Sequence, residues 1–93
     1  MIVGLLSVEL IIHSSNSLKR KRQVLRSLKE RLRNRFNISI AEIDYQDKWQ
    51  RAAVGIAYLG NDKSSVNSAL DKVLNFVETV HDVDLTNYEM EIL

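Results

Sequence analysis

Ninety-three residues with no cysteine allow one domain and exclude a disulfide framework, thiol chemistry and cysteine metal sites. The net charge of +1 hides an asymmetry, because nine of the thirteen Lys and Arg lie between Lys19 and Arg35, with Glu30 as the one acid among them. That segment carries 9 − 1 = +8, so the remainder carries 1 − 8 = −7, and the chain is strongly dipolar.

At 45% hydrophobic the composition is that of a globular domain. A domain this small buries only roughly 60–65% of its unfolded surface, so association with a second copy would cover useful apolar area. Met1 to Ile12 is apolar but carries Glu9 and lacks a basic start and a small-residue cleavage site. It is also shorter than the roughly 20 residues of a bilayer span. The expectation is a cytoplasmic protein without a membrane segment.

Residues 2–12 alternate as a strand, with Ile2, Leu6, Val8, Leu10 and Ile12 on one face and Gly4 among them. The other face is mixed: Val3, Leu5, Ser7, Glu9 and Ile11. His13 to Ser17 is a polar turn, in which Asn16 or Ser17 can cap the helix that follows. Residues 18–36 are predicted helical, with Leu18, Leu25, Leu28, Leu32 and Phe36 on one side and Val24 at its edge. Asn37 is suited to end that helix in a left-handed conformation.

Residues 38–44 read as a second strand, 45–51 as a polar connection, and 52–59 as a third strand rich in small residues. Gly60 to Ser64 turns the chain into a second helix over about residues 63–79. Its buried stripe is Val66, Leu70, Val73, Leu74 and Val77. Residues 85–92 form the last strand, with Tyr88, Met90 and Ile92 on one face and Asn87, Glu89 and Glu91 on the other. The order β-α-β-β-α-β predicts a single ferredoxin-like α+β domain over residues 1–93. It is a two-layer sandwich with a four-stranded antiparallel sheet and both helices on one face.

Lys19, Arg22, Arg26, Lys29 and Arg33 are spaced 3, 4, 3 and 4, which sets them in one narrow stripe beside the apolar one. The stripe spans about 21 Å at ~1.5 Å per residue. Phosphates along one strand of B-DNA recur about every 3.4 Å, so several fit that length. Arg20, Lys21, Arg31 and Arg35 are assigned to the other flank. Glu30 can pair with Arg26 or Arg33, and the other cations have no acid on their own helix. Three neutralisers are open. They are nucleic-acid phosphate, the chain's own acids (Glu42, Asp44 and Asp47, or Asp82, Asp84, Glu89 and Glu91), and an acidic protein or second subunit.

Trp49 has two readings. It is either a platform that stacks an unpaired base, with Arg51 on phosphate, or a packing residue that closes the end of the core. The face of the first strand bearing Val3, Leu5 and Ile11 is left open by the helices, which points to a homodimer through the sheet. The third strand offers only Tyr58 where the stacking face of an RNA recognition motif needs two aromatics. The turn His13 to Ser17 lacks the glycines with which acylphosphatases of this fold cradle phosphate. A triad of His13, Asp44 and a serine has no supporting spacing. With no P-loop, metal or dinucleotide motif either, the expectation is a protein that is not an enzyme and takes no cofactor.

The chain resembles the YlxP-like family of uncharacterised bacterial proteins over essentially its full length. The resemblance rests on MIVGLLSVEL at the start and on Ser17-Leu18-Lys19-Arg20-Lys21-Arg22. It extends through Leu28-Lys29-Glu30-Arg31-Leu32-Arg33-Asn34-Arg35-Phe36-Asn37, then Ala41-Glu42-Ile43-Asp44-Tyr45-Gln46-Asp47 and Trp49-Gln50-Arg51. It implies a ferredoxin-like fold, defines no catalytic residues, and tilts the polyanion toward ribosomal or other structured RNA. That tilt comes from the translation-initiation and ribosome-assembly genes near which such proteins are encoded. The first expectation is an RNA-binding accessory protein, with Lys19, Arg22, Arg26, Lys29 and Arg33 on phosphates and Trp49 and Arg51 at one edge. The alternative is a protein–protein interaction module, a homodimer that docks an acidic partner through the basic helix.

Overall fold

A computed structural model describes all 93 residues. The elements are β1 (Ile2–Ile12), α1 (Leu18–Arg35), β2 (Ile38–Asp44), β3 (Arg51–Gly60), α2 (Lys63–Glu78) and β4 (Val83–Ile92). The four strands pair antiparallel in the order β2-β3-β1-β4, and both helices cover one face, so the ferredoxin-like expectation holds.

The core follows from alternation. Leu6, Val8, Leu10 and Ile12 of β1 point to the helix side with Ala52, Val54 and Ile56 of β3, all at most 3% exposed. Against them pack Leu25, Leu28 and Leu32 from α1 and Val66, Leu70, Val73 and Val77 from α2. Gly4 lets α2 approach β1: a Cβ there would stand 2.4 Å from Val66 Cγ1 and 2.7 Å from Leu70 Cδ1.

The caps differ in part from expectation. Ser17, not Asn16, caps α1, its hydroxyl accepting from the Arg20 N–H at 3.1 Å. Asp62 caps α2, accepting from the Ser65 N–H at 2.8 Å. Asn37 is not left-handed. α1 ends one residue earlier at Phe36, which is extended at φ −133°, because the chain passes straight into β2. The left-handed residues are Tyr45 (φ 61°) and Asp82 (φ 69°). The last strand begins at Val83 rather than residue 85, and a bulge interrupts its pairing with β1 between Glu9 and Leu10.

Candidate polyanion interface

α1 buries Leu25, Leu28 and Leu32 on the sheet and turns its basic stripe outward. Lys19, Arg22, Arg26 and Arg33 are exposed and Lys29 is half-buried. No carboxylate lies within 4.0 Å of any of the five. Pairing of the stripe with the chain's own acids is therefore excluded in this conformation. Arg33 alone has a polar partner, donating from Nη2 to the Ile40 carbonyl of edge strand β2 at 3.3 Å.

The opposite flank is used for packing. The Arg31 and Arg35 guanidiniums lie over the Phe76 ring of α2, 5.3 and 4.6 Å from its centroid. Such contacts are worth roughly 0.5–1 kcal/mol each at exposed sites. Arg20 is exposed.

Lys21 does not belong to that flank. It is 1% exposed, and its ammonium sits 2.9 Å from Glu42 Oε2 and donates to the Tyr45 carbonyl at 2.5 Å. Glu42 Oε2 makes no well-angled hydrogen bond, so the contact is an ion pair set by proximity. The signal was present in the sequence: Lys21, Leu25, Leu28 and Leu32 are spaced 4, 3 and 4, the spacing of one helix face. Its stem lies among apolar groups and its head finds the one carboxylate on that face of β2.

Tyr45 completes this corner from both sides of the sheet. Its N–H donates to Asp44 Oδ1 at 2.7 Å, and its carbonyl accepts from Lys21. Its hydroxyl donates to Glu9 Oε1 at 3.0 Å, and Glu9 Oε2 accepts from Asn87 at 3.3 Å. Arg51 covers the Tyr45 ring at 4.1 Å. The bond to Glu9 holds the Tyr45 hydroxyl above the ordinary tyrosine range, which Arg51 partly opposes. A left-handed backbone at a bulky residue is strained, and these contacts hold it there.

Trp49 does not close the core, since it is 56% exposed. The loop that carries it is moored beside the start of α1: Gln50 donates to the Ser15 carbonyl at 3.1 Å, and the Ile12 N–H donates to the Gln50 carbonyl. Arg51 stands opposite Ile11, on the sheet face away from the helices. The structure thus brings the five stripe cations into one line, with Trp49 near its N-terminal end and Arg51 around the corner. His13 bonds Asp84, not Asp44. No helix is long and apolar enough to cross a membrane.

The family model described as "Protein of unknown function (DUF503)" matches residues 3–90. A relative described as "Uncharacterized protein YlxP", from Bacillus subtilis (strain 168), is 39% identical over 84 residues. That alignment covers 90% of this chain and 91% of the relative. A match of this length, on a ferredoxin-like fold with a basic first helix, means that the chain belongs to the DUF503 family of proteins of unknown function.

Proposed function

We propose that this chain is a non-enzymatic RNA-binding accessory protein of the cytoplasm, acting in ribosome assembly or translation. The stripe of α1 contacts the phosphates. The observation that carries this reading is that no carboxylate comes within 4.0 Å of Lys19, Arg22, Arg26, Lys29 or Arg33, in a chain whose remainder carries −7. Like charges at i,i+3 and i,i+4 each cost a few tenths of a kcal/mol, and an external polyanion turns that cost into attraction. Arginines at three of the five positions suit bidentate contact with phosphate oxygens. Trp49, open and beside the start of the stripe, offers a stacking surface worth roughly 1–3 kcal/mol for an unpaired base. Arg51 serves a strand that turns past the β2–β3 corner. The ribosomal direction follows from the family resemblance.

The test is binding to ribosomal RNA fragments across a salt series. Affinity should fall steeply with salt. Arg26→Ala with Arg33→Ala should flatten the logarithmic slope by about 1.4–1.8, at ~0.7–0.9 for each phosphate no longer neutralised. Trp49→Ala should weaken binding without changing the slope. An absence of binding at low salt, or equal binding to an acidic protein, would sink the RNA reading.

A further inference from the structure

The sheet face away from the helices is uncovered. Ala41, Gly55 and Ala57 pave its middle, and Leu5, Ile43 and Leu59 rise beside them, 39%, 53% and 59% exposed. Leu5, Ala41, Ile43, Gly55 and Ala57 line a shallow, mostly apolar groove of about 850 Å³, bounded on one side by Glu89 and Glu91. The acids of this face are Glu9 in its middle, held by the Tyr45 hydroxyl and Asn87, Asp44 at the end of β2, and two more on β4. Glu89 and Glu91 stand on edge strand β4, opposite Ser7 and Leu5, and neither has an ion-pair partner. At the other edge Arg33 of α1 comes from the helix side to the outer rim of β2, where it donates to the Ile40 carbonyl.

We propose that a second copy of this chain covers the open face, related by a two-fold axis that runs between the two sheets and parallel to the strands. Such an axis keeps every residue at its own height along the strand. It lays β1 of one copy over β3 of the other, and β4 over β2. Leu5 and Ala57 are register partners, so Leu5 of each copy falls on Ala57 of the other, a large side chain over a small one. Ser7 falls on Gly55 in the same way. Glu89 and Glu91 then face the β2 edge of the second copy, where the second copy's Arg33 lies. A two-fold axis perpendicular to the strands would instead stack β4 on β4 and oppose acid to acid.

The area suffices. Four strands about 4.8 Å apart and roughly 25 Å long give about 500 Å² per copy. Two such faces bury about 1,000 Å² in total, the size at which a specific interface begins. The product has four layers, α-β-β-α, with sheets about 10 Å apart, the stripe cations from Lys19 to Lys29 on opposite outer surfaces and each Arg33 at the rim between the copies. This inference shares Arg33 with the RNA reading and stands whether or not Lys19, Arg22, Arg26 and Lys29 bind RNA.

The test is the solution mass of the full chain by light scattering, with folding checked by circular dichroism. The wild type should show twice the 10.7 kDa of one chain. Leu5→Glu and Ala57→Glu should each halve that mass. Should either fail to fold, Glu89→Lys with Glu91→Lys alters only exposed positions and should raise the dissociation constant about tenfold at low salt. Adding Arg33→Glu to that pair should restore it. A monomeric wild type overturns the proposal and gives the face to a different protein. A dimer indifferent to all these changes overturns it too, by placing the contact elsewhere.

Discussion

Lys21 and Arg22 are adjacent in the chain and opposite in physical role. Arg22 is exposed and belongs to a line of five cations, none within 4.0 Å of a carboxylate. Lys21, one residue and about 100° away around the helix, is buried between two layers and tied to Glu42 and Tyr45. One region carries unneutralised charge that costs stability and is available to a partner. The other carries a neutralised charge that fixes where a loop sits. A count of positive residues treats the two alike; the difference is whether each charge has its counter-ion inside the molecule.

The largest test of that contrast is Lys21→Met. It keeps the stem and removes the charge, leaving the four-fifths buried Glu42 without its partner. Unfolding free energy in urea should fall by about 3 kcal/mol, at the low end for a broken buried pair because Glu42 retains some access to water. Adding Glu42→Gln should recover part of the loss. A fall well under 1 kcal/mol would show that the corner does not depend on the pair.

A second test uses pH. The Tyr45 hydroxyl is held above its ordinary value of 10.0 chiefly by donating to Glu9, so the folded protein favours the neutral form. Its contribution is complete below the unfolded value of about 10 and is lost as pH rises through the folded value. The urea midpoint should drop with alkalinity more in the wild type than in Tyr45→Phe. Equal slopes would remove Tyr45 from the account.

The smallest effect belongs to the stripe. Arg22→Ala with Arg26→Ala should change stability by no more than about 0.5 kcal/mol, and upward, since repulsion is relieved and no internal partner is removed. Added salt should stabilise the wild type slightly by screening the same repulsion. A clear loss of stability in the double variant would mean that the stripe has an internal partner.

Much of the fold was legible. Alternation in 2–12 and helical spacing in 18–36 and 63–79 placed β1 and both helices within a residue or two of their observed limits. The start of β4 was harder to read, because its bulge flips the phase. Val83 and Leu85 turn inward before it, and Met90 and Ile92 after it, so no single alternation spans the strand. Within the candidate site the five-residue stripe was readable from spacing alone. Lys21 was readable too, had its spacing to Leu25 outweighed its charge. The left-handed Tyr45, the exposure of Trp49 and the turning of Arg51 onto the far face were not readable. Each depends on contacts between residues distant in the chain.

Periodicity by itself determined which residues share a face, because helix and strand geometry are local. It therefore determined the layers, the uncovered sheet face and the line of cations. Only the tertiary structure decided which charges are neutralised, because an ion pair depends on what the other elements bring within a few ångströms. It brought Glu42 to Lys21 and Phe76 to Arg31 and Arg35, and it brought no carboxylate to the stripe from Lys19 to Arg33.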